Sequence, residues 1–188
     1  MRKKGFILLT ALLVFVLGCG GGVNVTRYAN PKADISYIKR VAILPLKNFS
    51  RDTSAHEKVR DILETELLAQ GLFDVVDNGQ TDYILAEMRI NTNNLDIKSL
   101  KKIASRLGVQ GIITGSVDEF ALIQSGGISL PLVTLSLKLI DAQSGIVIWQ
   151  ATGTEKGGGA LNRLFGIGEK TLSDVTDILI KKMLKTLG

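Results

Sequence analysis

The sequence predicts a single-domain α/β sandwich with a mixed sheet and a C-terminal helix. Three observations lead there. Short apolar runs alternate with amphipathic helical stretches between residues 41 and 117. Residues 133–139 then alternate strictly between apolar and polar, and a turn follows them. The last stretch, from about Thr171, has helical periodicity. Helices between the early strands imply parallel pairing and a late hairpin implies antiparallel pairing, so the sheet is mixed.

Residues 23–38 are weakly patterned, and Asn30-Pro31 marks a turn. Val41-Ala42-Ile43-Leu44 reads as a buried strand ended by Pro45. Asn48 to Ser54 is a polar loop. In the helix that follows, Val59, Ile62, Leu63 and Leu67 share one face, while Glu57, Arg60, Asp61 and Glu64 lie on another. Gly71 is placed to end it. Phe73 to Val76 reads as a second strand, and Thr81 to Met88 as a short helix. Asp96 is a cap for a third helix whose Leu100, Ile103, Ala104 and Leu107 share a face, with Gly108 as its terminator.

Val109 to Val117 is a strand that can run on to Ile123 before Gly126-Gly127 breaks it. Val133, Leu135, Leu137 and Leu139 alternate with Thr134, Ser136 and Lys138, which buries one face. Asp141 to Gly145 is a structural turn, with Ile146 to Thr152 as the returning strand. Trp149 is expected on a face with Val147 and Ala151, as core or as an anchor beside a membrane or a neighbouring subunit. Gly153 to Gly168, with six glycines, is expected to be a mobile surface segment. In the closing helix Leu172, Val175, Leu179 and Met183 point inward.

The first residues carry a different message. Arg2, Lys3 and Lys4 precede an apolar run from Gly5 to Leu17, and Val16-Leu17-Gly18-Cys19 is a small-residue cleavage site ending in cysteine. That is the layout of an export signal, and its last four residues resemble a lipobox. Cleavage between Gly18 and Cys19, with acylation of Cys19, is the expectation. The apolar run is short for a span, which needs roughly 20 residues. Residues 1–18 are thus read as the lipoprotein signal and 19–38 as lipidated cysteine, tether and N-terminal segment. Residues 39–188 are read as the periplasmic domain.

Composition narrows the function classes. The chain carries a formal charge of +5 and a sequence pI of about 9.4. Removal of Arg2, Lys3 and Lys4 with the signal leaves 20 basic against 18 acidic residues, so nucleic-acid binding has no compositional support. Cys19 is the single cysteine, which allows neither an internal disulfide nor a thiolate metal site. His56 is the single histidine and lies at the start of a charged helix, where a solvated surface residue is expected. Nothing around it resembles a nucleophile elbow. Gly166-Ile-Gly168-Glu-Lys170-Thr171 imitates the end of a phosphate loop, but Glu169 interrupts the required Gly-Lys-Ser/Thr succession and places negative charge where phosphate would sit. No catalytic residue, metal site or cofactor is assigned.

Several segments together resemble one family. Arg40 to Ser50 (RVAILPLKNFS) is similar to the opening strand and loop of CsgG-like periplasmic domains. Leu67 to Gly71, followed by Leu72 to Asp77 (LFDVVD), resembles their helix–glycine–phenylalanine–strand step, and Ile84 to Glu87 their next helix. Leu107 to Ser116 and Leu137 to Gly145 complete the set, over about residues 39–152. The resemblance implies a non-enzymatic outer-membrane lipoprotein facing the periplasm. Within the family, PelC-type export lipoproteins and LpoB-type activators of a peptidoglycan synthase are the two kinds of relative. The short layout resembles the PelC type, which implies a ring-forming homo-oligomer at an export site for exopolysaccharide or curli-like protein. The alternative is an LpoB-like regulatory module docked on a cell-wall synthase. The long membrane-spanning hairpins of CsgG itself and the proline-rich arm of LpoB-type proteins are both missing, with three prolines in the chain.

Overall fold

The structure is a computed structural model that describes residues 24–125, 127–158 and 170–187. The elements run β1 (Asn24–Ala29), β2 (Arg40–Ile43), β3 (Lys47–Asn48), α1 (Ala55–Gln70), β4 (Asp74–Val76), α2 (Asn78–Glu87) and α3 (Ile97–Leu107). Then follow β5 (Gly111–Ser125), β6 (Ile128–Asp141), β7 (Val147–Lys156) and α4 (Leu172–Leu184). Seven strands form one sheet in the order β1-β7-β6-β5-β2-β4, with β3 beside β5. β2 is parallel to β4 and β5, whereas β5, β6, β7 and β1 are antiparallel in succession. The mixed sheet and the C-terminal helix agree with the sequence expectation.

Each face of the sheet has its own core. One packs Val59, Leu63 and Leu67 of α1 and Val175, Leu179 and Met183 of α4 against Ile43, Ile113, Leu135 and Leu137. The other packs Ile84 and Leu85 of α2 and Leu100, Ile103 and Leu107 of α3 against Ala42, Ile112 and Ile140. The strict alternation along β6 explains the first: Val133, Leu135, Leu137 and Leu139 are all buried.

Local signals set most boundaries. Gly71 and Gly108 end α1 and α3 with φ of 62° and 66°, the left-handed region that lets the last carbonyls be capped. Asp96 Oδ1 accepts the Ser99 N–H at 2.8 Å, the expected cap. α2 begins three residues earlier than periodicity places it, because Asp77 accepts the Gln80 N–H at 2.9 Å and so opens the helix at Asn78. Thr171 and Asp174 make a reciprocal capping box on α4. The Thr171 hydroxyl of the phosphate-loop lookalike is therefore engaged in that cap.

Four placements differ from the sequence reading. β1 lies in the segment read as featureless, and it joins the open edge of β7 through register pairs from Asn24↔Thr154 to Ala29↔Trp149. Its side chains are almost all exposed, so it carries no hydrophobic alternation to read. Trp149 is core, the expected placement over a membrane or subunit anchor, at 1% exposure with its indole N–H donating to Thr186 Oγ1 at 3.0 Å, but its face differs. It keeps its face with Ala151 but not with Val147, because the register shifts between Leu139 and Ile140 and Val147 packs on the opposite core. The strand β7 runs on to Lys156, so Gly153 to Lys156 is not a mobile segment, and Gly157 N donates to Pro131 O at 2.8 Å. Residues 159–169 lie outside the described residues.

The fourth concerns Arg60, assigned to the polar face of α1 but only 7% exposed. Its Nε and Nη2 donate to Ile43 O at 3.1 and 2.7 Å, at the last residue of β2. Nη1 donates to both carboxylate oxygens of Asp82 on α2, at 2.8 Å each. One guanidinium thus joins α1, β2 and α2. Truncation at Arg60 strands a buried carbonyl, whereas Asp82 is half exposed and water can replace it. Arg60→Ala is expected to cost about 2–4 kcal/mol in denaturant unfolding, and Asp82→Ala about 1 kcal/mol or less. Equal losses would show that the ion pair, not the bond to Ile43, carries the effect.

Candidate functional site

Helices α2 and α3 cover only β2, β4 and the adjoining ends of β5 and β6. Among the described residues no helix covers the rest of that face, and its side chains are polar: Thr134, Ser136 and Lys138 on β6 and Gln150, Thr152 and Thr154 on β7. They form a cross-strand network. Thr134 and Thr154 hydroxyls lie 3.0 Å apart, and those of Ser136 and Thr152 3.1 Å apart. The register of β5 shifts between Val117 and Glu119. Asp118, two residues beyond Ser116 and so on the same face, joins the network, where its carboxylate accepts Ser116 Oγ at 2.7 Å and Ser136 Oγ at 2.8 Å. The bulge acts after it and returns Phe120 to the core that holds Val117.

Where α3 begins, the uncovered face deepens into a cleft of about 440 Å³. Thr114, Gly115, Ser116 and Ser136 line it together with the loop residues Asn93 and Asn94. Lys47 and Phe49 also line it, and Phe49 is 68% exposed. Gly115 is needed here: a Cβ would stand 2.0 Å from the backbone oxygen of Ser136. Hydroxyl and amide groups, one aromatic ring and the ammonium groups of Lys47 and Lys138 suit contact with a polar surface.

The residues singled out from sequence do not converge on this cleft. Gly18 and Cys19 lie outside the described residues. His56 is half-buried and faces Asn48, with Nδ1 3.5 Å from Asn48 Nδ2; it braces the β3–α1 loop rather than standing free in solvent. Among the described residues no group of three His, Cys, Asp or Glu side chains is placed to hold a metal ion. The hydroxyl face was visible as the polar half of the β6 alternation, and the two-residue spacing of Ser116 and Asp118 on β5 was the signal that could have placed Asp118 beside it.

Asp141 and Gly145 form the expected turn at the other end of the β6–β7 hairpin. Gln143 N and Ser144 Oγ donate to the Asp141 carboxylate at 2.8 and 2.6 Å, and Gly145 N donates to the Asp141 carbonyl at 2.8 Å. Burial alone would raise the Asp141 pKa, but hydrogen bonds from Ser144, Gln143 and the Tyr37 hydroxyl outweigh it and hold the carboxyl below its usual range. Burial, with Asp141 as neighbour, pushes Tyr37 up to about 12. Gly145 has φ of 73°, and a Cβ there would meet Ile97 Cδ1 at 2.7 Å.

Comparison with known proteins gives one family and several folds. Residues 25–154, from β1 into β7, match the family described as peptidoglycan-synthase activator LpoB. No curated protein matches the chain. Among solved structures, the PelC dodecamer from Paraburkholderia phytofirmans is similar at 24% identity with a TM-score of 0.60, over 87% of this chain and 96% of that one. Lipoprotein GNA1162 from Neisseria meningitidis is similar at 15% identity with a TM-score of 0.58, over 79% of this chain and 97% of that one. At these identities the likeness is one of fold.

Two predictions concern the turn. Gly145→Val is expected to lower stability by about 1–3 kcal/mol, from backbone strain and the clash with Ile97, and Ile97→Ala should relieve part of it in the double variant. Thermal unfolding of the three proteins checks this. Because the folded Asp141 pKa is depressed, its contribution is present above the ordinary carboxylate pKa and lost as pH falls through the folded value. Asp141→Asn should therefore be less stable than wild type by about 1 kcal/mol at pH 7, and the gap should close on acidification below about pH 4.

Proposed function

This chain belongs to the peptidoglycan-synthase activator LpoB family, and on that premise we propose that it is a non-catalytic envelope lipoprotein that acts by docking on a peptidoglycan synthase. The single observation that carries this reading is the family match, which spans the sheet from β1 into β7 and so includes the uncovered polar face and its cleft. Acylation at Cys19, after cleavage behind Gly18, supplies the membrane attachment. Two or three acyl chains make such attachment durable, since a single chain is marginal. The domain faces the periplasm, and the cleft, with Phe49 exposed beside Lys47, is the surface offered to the partner.

A second reading is favoured by the tether. Only residues 20–23 separate Cys19 from β1, a reach of about 17 Å from Cys19 to Asn24 when fully extended. Gly20 after the cysteine favours the outer membrane, and a domain held that close to it is poorly placed to reach a synthase in the inner membrane. A homo-oligomer at an outer-membrane export site, for exopolysaccharide or curli-like protein, fits this placement. The similar fold of PelC, itself a dodecamer, supports it.

The two readings part in one pair of measurements on the acylated protein. If it activates, glycan polymerisation by a copurifying synthase rises on its addition, and light scattering in detergent reports a monomer. If it forms a ring, light scattering reports a large oligomer and the synthase rate stays unchanged. Cys19→Ser is expected to release the chain from the membrane fraction or leave it uncleaved. Unchanged fractionation of that variant would overturn the lipid anchor.

A further inference from the structure

We infer that the polar sheet face and its cleft bind glycan, a chain of acetamido sugars with free carboxylates, such as a cell-wall strand stripped of its stem peptides. The inference rests on the family reading above and refines it, since the face then meets the glycan on which the partner works. The strand register defines the site. Tyr28 pairs with Gln150, Gln150 with Lys138, and Lys138 with Thr114. Cross-strand partners share a face, so one row of side chains crosses β1, β7, β6 and β5, opposite the core that holds Trp149. Three strand spacings make the row about 14 Å long. It opens into the cleft, where Lys138 and Gln150 meet Lys47 and Phe49.

Two rings bound the site: Tyr28 is 51% exposed and Phe49 68% exposed. An aromatic face accepts the apolar C–H face of a pyranose, while the sugar's hydroxyl rim needs donors and acceptors beside it. The amides of Gln150, Asn93 and Asn94, all exposed, offer both and match an acetamido group. Charge then selects among sugars. Among the described residues neither Lys47 nor Lys138 has a carboxylate within ion-pair distance. Asp118 on the same face is engaged by two hydroxyls, and Glu119 lies beyond it, paired with Thr134. Two ammonium groups in one cleft favour an anion, and a carboxylate on the sugar supplies it. A polypeptide is the poorer match. Protein interfaces are depleted in lysine and serine and bury an apolar centre, whereas between the two rings this row holds Gln150, Lys138 and Thr114.

The test titrates the full mature protein in detergent with two soluble probes by calorimetry. One is glycan strands freed of stem peptides, whose lactyl groups carry carboxylates. The other is a neutral chito-oligosaccharide of matched length. Wild type should bind the strands more tightly than the neutral chain. Lys47→Ala/Lys138→Ala should weaken strand binding severalfold, to the level of the neutral chain, and leave the neutral chain unchanged. Tyr28→Ala should weaken both. Lys101→Ala/Lys102→Ala, which removes two exposed charges from α3, should change neither. Thermal unfolding checks that each variant folds. Strand binding that survives the loss of Lys47 and Lys138, or that falls as far with Lys101 and Lys102, overturns the site, as does equal binding of the two probes by wild type. Synthase stimulation is measured on the same preparations and read separately. Stimulation without strand binding overturns the glycan site and keeps the docking reading. Strand binding without stimulation keeps the glycan site and overturns docking; loss of both overturns both.

Discussion

Among the described residues four helices lie on the two faces of a seven-stranded sheet, and they leave part of one face uncovered. α1 and α4 lie side by side over one face, so β5, β6 and β7 can bury Leu135, Leu137 and Trp149 there. α2 and α3 reach only the parallel half of the other face. Beyond the described helices the strands carry hydroxyl groups and Lys138 on that face, side chains that tolerate water. The polar region that these helices leave uncovered, with the cleft at its border, follows from that partial cover. Any surface this domain offers a partner is shaped by it.

The covered half needs its own fastening, because parallel strands end in carbonyls that no hairpin partner satisfies. Arg60 supplies it at the end of β2. Its guanidinium is planar and offers several donors, so it can serve the Ile43 carbonyl and the Asp82 carboxylate together. A lysine at this position could reach one partner but not hold both in that geometry. The half-exposed Asp82 keeps the pair in contact with water, which spares it most of the desolvation cost of a fully buried ion pair. Elsewhere the ion pairs Lys182–Glu155 and Lys181–Glu66 clip α4 to β7 and α1, each through a half-exposed lysine and a buried glutamate.

Two bulges adapt the long strands to different neighbours. The shift after Asp118 reverses the alternation of β5, so that Val117 and Phe120, three residues apart, share one core. The shift in β7 places Ile148 and Trp149 together in one core while Val147 joins the other. Without it, the indole and Val147 would compete for the same side of the sheet. The Thr186 hydroxyl, just after α4, accepts the indole N–H and so satisfies the one polar atom that Trp149 buries.

The sequence by itself determined the fold class, the glycine stops at Gly71 and Gly108, the Asp96 cap, the buried face of β6 and the Asp141–Gly145 turn. These depend on interactions within a few residues, or on a period that repeats along one element, and so are written locally. Only the tertiary structure decided the place of β1, whose edge position gives it exposed side chains and no alternation. It alone buried Arg60, because the carbonyl that draws the guanidinium inward lies 17 residues away on another element. It alone settled which residues share a face across a bulge, since one inserted residue reverses a period of two without changing composition. The cleft belongs to the same class, because it is bounded by β3, the loop before α3 and the middle of β5 and β6, a relation between elements that no single stretch of sequence contains.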